Sequence, residues 1–133
     1  MANVIAQLKN GEINTYSSIK AESAEGKKNL FNALENCDKL LNENIGAEIA
    51  IKDIYIEKYN KVDKTTGDSK VKYRTIIFAE DGTTYVTTSF GIVSVLEKLV
   101  DVFGEPTWEE AVKVKVSERP LGNGKNLLTF VLV

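Results

Sequence analysis

Four of the five tyrosines alternate with basic residues through the middle of the chain: Lys52, Tyr55, Lys58, Tyr59 and Lys61, then Lys72, Tyr73 and Arg74, then Tyr85. A phenol ring beside an ammonium or guanidinium group does no covalent chemistry, but the pair can bind. Cations neutralise phosphates, and flat rings stack on any base because every base has a π face. On one surface, the two residue types would hold a single-stranded nucleic acid. Taken singly, each tyrosine also suits a core or rim position with its hydroxyl reaching water. Lys113 and Lys115 share a strand face farther on, and Arg119 and Lys125 flank a turn, so these four extend the candidate phosphate contacts.

The residues that most often carry catalysis are missing. The chain has no histidine, which removes the commonest general base and the commonest zinc ligand. Gly122-x-Gly124 lacks the rest of any dinucleotide fingerprint, and nothing resembles a calcium loop or a phosphate-loop lysine. Cys37 has no base to activate it and reads as a small packing residue. We therefore expect no enzyme, no cofactor and no metal.

Net charge argues the other way from the tyrosines and lysines, since it is −2 over 133 residues. The charge is segregated, however. Residues 51–74 carry seven basic groups against four acidic ones, and residues 111–133 carry four against Glu118 alone, so each segment stands at +3. Residues 93–110 hold Glu97, Asp101, Glu105, Glu109 and Glu110 against Lys98, a net −4. Binding follows local potential rather than the sum, so a basic face on an acidic protein is feasible. The same charges would also serve as ordinary solvated faces of strands and a helix.

The elements that must position these residues are legible in part. Val4–Ile19 is broken by Asn10-Gly11 and reads as a short hairpin or strand; a helix follows over about 23–41, with Ser23 as its N-cap. From Gly46 the apolar period becomes two. Ile49 and Ile51 fall on one parity and Ile54 and Ile56 on the other, which predicts a β-bulge or sharp bend at Lys52-Asp53. After a polar hairpin tip at Asp63–Asp68, a second strand runs over Val71–Ala79. In a regular strand Tyr73 and Arg74 point to opposite faces, so both meet one bound strand only where a twist or bulge intervenes. Asp81-Gly82 predicts a tight turn into a third strand at Thr83–Thr88. A helix over Ile92–Phe103 ends at Gly104 with Pro106 beyond, and Trp108, among carboxylates, suits burial under the helix end. Val112, Val114 and Val116 alternate with Lys113, Lys115 and Ser117, and Leu127–Val133 closes the sequence of strands.

This order predicts a mainly β fold: a five-stranded Greek-key barrel of OB type over 47–133, with a helix between its third and fourth strands. Residues 1–46 would be an N-terminal extension of the same single domain. No apolar run reaches the roughly 18 residues of a membrane span. Met1-Ala2-Asn3-Val4 lacks the basic start of a secretory signal, and a lone cysteine suits a reducing cytoplasm.

Several short stretches carry a resemblance. They are Phe31-Asn32-Ala33-Leu34, Ile45-Gly46 leading to Glu48-Ile49-x-Ile51-Lys52-Asp53-Ile54, and Arg74-Thr75-Ile76-Ile77. Asp81-Gly82-x-x-Tyr85-Val86-Thr87-Thr88, Phe103-Gly104-Glu105-Pro106-Thr107-Trp108 and Val112-Lys113-Val114-Lys115-Val116 complete the set. In this order the chain resembles the small single-stranded DNA-binding proteins of short-tailed, protein-primed phages of Gram-positive hosts. The resemblance implies a non-catalytic protein in the host cytoplasm that coats displaced single strands during phage replication, with phage replication proteins as further partners. It also implies tyrosine-dependent binding, by position through Tyr55, Tyr73 and Tyr85. The competing expectation is an OB-type protein-interaction module, a replisome or virion adaptor docking through its barrel and acidic helix without touching DNA.

Overall fold

The computed structural model describes residues 4–19, 23–122 and 124–133. Its first element departs in part from the short hairpin or strand expected over Val4–Ile19. Val4–Lys9 is a helix, α1, and only Thr15–Ser17 is a strand, β1. Ile5 and Leu8, three positions apart on one helical face, are fully buried. The Asn10-Gly11 signal is a turn, but it ends this helix, with Gly11 at φ +87° and its N–H donating to the Leu8 carbonyl. Six residues are too few for a helical period to stand out from the sequence.

The second helix, α2, spans Ala24–Glu35 and is shorter than the 23–41 expected. Its start is as read: the Ser23 hydroxyl accepts from the Gly26 N–H at 3.0 Å. Its end is set by a contact 46 residues away. The Asp38 carboxylate accepts from the Thr84 N–H and hydroxyl at 3.0 and 3.1 Å, and the Asp38 N–H donates back to that hydroxyl. This pulls the chain straight, so Lys39–Leu40 forms a two-residue strand, β2, parallel to Tyr85–Val86, instead of a last helical turn.

The long strand β3, Glu48–Val62, carries the expected bend, with the register slipping between Ile51 and Asp53. The slip keeps Ile49 and Ile51 on the same inner side as Ile54 and Ile56 despite their opposite parity, and all four are buried. It also lets one strand serve two neighbours along one edge. Glu48–Ile51 pairs with β6, Val112–Pro120, while Tyr55–Glu57 pairs with β1. Along the other edge lies β4, Ser69–Ala79, followed by β5, Thr84–Thr87. The β4–β5 turn has Gly82 at φ +91° and the Asp81 carboxylate accepting from the Thr83 N–H at 2.9 Å, a bond that holds the Asp81 carboxyl below its usual range.

The last strand, β7 (Asn126–Leu132), pairs with β6, so the sheet reads β2-β5-β4-β3-β6-β7 with β1 beside β3. Among the described residues it has seven strands, β1 falling in the N-terminal segment where a strand or hairpin was expected and β2 adding to the five expected of the barrel. The sheet curls as a half-barrel around α3, Phe90–Phe103, which packs on both β4 and β7. Ile92, Val93, Leu96, Leu99 and Val100 of α3 join Ile5, Leu8 and Leu41 in the inner core, so residues before Ala47 supply part of it. Trp108 closes the far end of α3, 5% exposed, with Nε1 donating to the Gly104 carbonyl at 2.8 Å. A second, smaller core lies on the outside of the sheet. There Ala33, Leu30 and Leu34 of α2 cover Tyr55 and Ile76.

Candidate nucleic-acid interface

The register of β3 against β4 decides which candidates meet. Tyr59 stands directly opposite Lys72, Lys61 opposite Lys70, and Glu57 opposite Arg74. Because side chains alternate, Tyr55, Glu57, Tyr59 and Lys61 share the outer face with Lys70, Lys72, Arg74 and Ile76. Beyond the edge of α2 this outer face is open: Tyr59 is 39% exposed, and residues 60–72 are exposed throughout. The result is a continuous strip of one ring and three ammonium groups, with Arg74 at its inner end.

Arg74 is already engaged. Its Nη1 lies 3.5 Å from Glu57 Oε1 and its Nη2 donates to the Leu34 carbonyl, which ties the strip to the last turn of α2. Tyr55 lies beneath that turn, and its hydroxyl donates to Glu57 Oε2 at 3.1 Å. Burial, then the Glu57 carboxylate, raises the Tyr55 phenol above its ordinary value.

The other candidates lie elsewhere. Lys58 and Tyr73 are a register pair on the inner face. The Lys58 ammonium donates to the Lys9 carbonyl at 3.3 Å, and the Tyr73 ring sits 5.4 Å from that of Phe90. Tyr85 pairs with Ile77 on the inner face, with the Lys39 ammonium 5.9 Å from its ring. Lys52 donates to the Glu109 carbonyl at 2.9 Å. Lys113 and Lys115 are on the half of β3's neighbourhood that precedes the bulge, where Lys115 stands opposite Glu48 and Lys113 opposite Ala50. An acidic partner directly across the ladder therefore offsets Lys115, a neighbour that chain spacing does not reveal. Arg119 and Lys125 are at the β6–β7 end, where Arg119 pairs with Leu127. The fifth tyrosine, Tyr16, is half-buried on β1, and burial together with Glu105 and Asp53 pushes its phenol up to about 12. Lys70, which the sequence offers only as part of the 61–70 hairpin, joins the strip through its pairing with Lys61 across the 63–68 loop.

A strip of this composition fits a polyanion that offers flat bases. Comparison with family descriptions then finds a match to phage single-stranded DNA-binding protein, of the Phi29 type, over residues 9–133. The chain belongs to that family. Comparisons with curated proteins and with solved structures find no match. Membership in this phage single-stranded DNA-binding family makes single-stranded DNA the partner and phage DNA replication the setting, and it indicates no catalytic activity. Among the described residues, no helix is long and apolar enough to cross a membrane. Within this family member, the three tyrosines singled out by resemblance, Tyr55, Tyr73 and Tyr85, are only 9%, 8% and 8% exposed.

Proposed function

We propose that the outer face of the β3–β4 ribbon binds single-stranded DNA without sequence preference, so that many copies coat and protect strands displaced during phage replication. Lys61, Lys70 and Lys72 neutralise phosphates, Tyr59 stacks on a base, and Arg74 joins once it exchanges Glu57 for a phosphate. The observation that carries this reading is the register pairing of Tyr59 with Lys72 next to Lys61 with Lys70 on an open face. The strand order β5-β4-β3-β6-β7 with α3 between β5 and β6 supports an OB-type barrel as the scaffold. On that scaffold the ribbon tip is the loop joining the first two barrel strands, a common place for OB domains to grip oligonucleotides.

The test is a titration of the full chain with oligo-dT. Tyr59→Ala is expected to lose about 1–3 kcal/mol of binding, one stacked base, while Tyr59→Phe keeps nearly all of it. Phenylalanine variants of Tyr55, Tyr73 and Tyr85 should bind like the wild type. Equal affinity for Tyr59→Ala and the wild type would remove the ribbon face from the account. Binding of a protein partner with indifference to DNA would favour an adaptor instead.

A further inference from the structure

A groove of about 700 Å³ opens between α2 and the outer sheet face, on the far side of α2 from the basic strip. This volume is in the range of sites that enclose a small organic ligand, roughly 300–1,000 Å³. Asn29 and Asn32 of α2 sit one turn apart and, with Asn36 at its C-cap, line the groove. Each carboxamide carries both a donor and an acceptor, the combination that reads the edge of an unpaired base. Leu30 and the half-buried Phe78 supply apolar surface for a ring.

Asp38, Asp53 and Lys52 line the groove, and because the Lys52 ammonium is turned to the Glu109 carbonyl at 2.9 Å, the two carboxylates select which end of a nucleotide enters. Asp38 accepts two hydrogen bonds from Thr84, and Asp53 accepts from Ser18 at 2.9 Å and from Thr107, so both carboxylates are held in place. Fixed carboxylates repel phosphate, but they leave a neutral base unopposed. Phosphates belong on the lysine strip, and α2 lies between the two regions, with Arg74 of the strip donating to the Leu34 carbonyl on one side of it and Asn29, Asn32 and Leu30 lining the groove on the other.

We propose that this groove takes an unstacked nucleobase of the bound strand, with the α2 asparagines meeting its edge. The inference rests on the ribbon reading above and adds to it a second, base-directed contact. It predicts that α2 is part of the binding site and not only a cover for Tyr55.

The probes are fluorescent oligo-dT and a strand of equal length whose central nucleotides are abasic, titrated against the full-length chain. The variant is Asn29→Ala with Asn32→Ala; both residues are exposed, and alanine favours helix, so α2 should be retained. The expected result is that the variant loses about threefold to tenfold in affinity for oligo-dT, the worth of one or two hydrogen bonds, with little change for the abasic strand. Equal losses on both strands, or no loss on either, would overturn the groove as a base site while leaving the ribbon intact. Failure of the wild-type chain to bind either strand would overturn the ribbon reading and the groove with it.

Discussion

Replacing Lys61, Lys70 and Lys72 together by glutamine should lower affinity for single-stranded DNA on the order of a hundredfold at low salt. Each neutralised phosphate on a single strand contributes about 0.7 to the slope of log affinity against log salt, so three lost contacts should flatten that slope by about 2. The loss should therefore shrink as salt rises. Stability gives an independent check. Lys61 and Lys70 stand directly opposite each other, and like charges across a ladder repel, so the variant should melt no lower than the wild type. A control on the other half of the sheet, Lys113→Gln with Lys115→Gln, removes two cations where the ribbon variant removes three. Because Glu48 lies across from Lys115, that pair should cost much less binding. Similar losses in the two variants would show that only overall charge matters, not the ribbon.

The largest effect on stability is expected at Gly91, in the first turn of α3. A Cβ built there would lie 2.4 Å from the Leu128 carbonyl oxygen and 2.7 Å from the Leu127 side chain. Neither backbone nor a half-buried leucine can yield by that much without moving β7 away from the helix. Alanine normally gains roughly 1 kcal/mol over glycine within a helix, and overpacking of this kind costs about 1–3 kcal/mol or more. The clash should win. We expect Gly91→Ala to lower the thermal midpoint by roughly 5–10 °C, with a larger drop for Gly91→Val. A midpoint at or above the wild-type value would mean that α3 does not seat on β7 as described.

Much of the scaffold was legible because the relevant signals are local. The parity change between Ile51 and Ile54 announced the bulge, Asp81-Gly82 the turn, and Gly104 with Pro106 the end of α3. What failed depended on distant partners. The apolar pattern through Leu40 and Leu41 argued for more helix, but Asp38 is held by Thr84 and the chain straightens. The register of Lys61 with Lys70 closes a loop whose geometry no local pattern fixes, so the sequence offers the 61–70 hairpin as a whole and does not single out Lys70. The tyrosines show the same limit. Alternation tells which side chains share a face, and Tyr73 and Arg74 do lie on opposite faces. It does not tell which face another element covers. Helix α2 lies over Tyr55 and the inner core encloses Tyr73 and Tyr85, which leaves Tyr59 as the exposed ring among the four.

That difference between buried and exposed rings makes a photochemical map the most direct test of the ribbon face. A single strand carrying 5-iododeoxyuridine would be bound to the full chain, irradiated in the presence of duplex competitor, and the joined residues identified by mass spectrometry. Cross-links are expected to concentrate between residues 59 and 74, with Tyr59 foremost. Cross-links concentrated between residues 112 and 119, with none on the ribbon, would contradict the ribbon as the binding face.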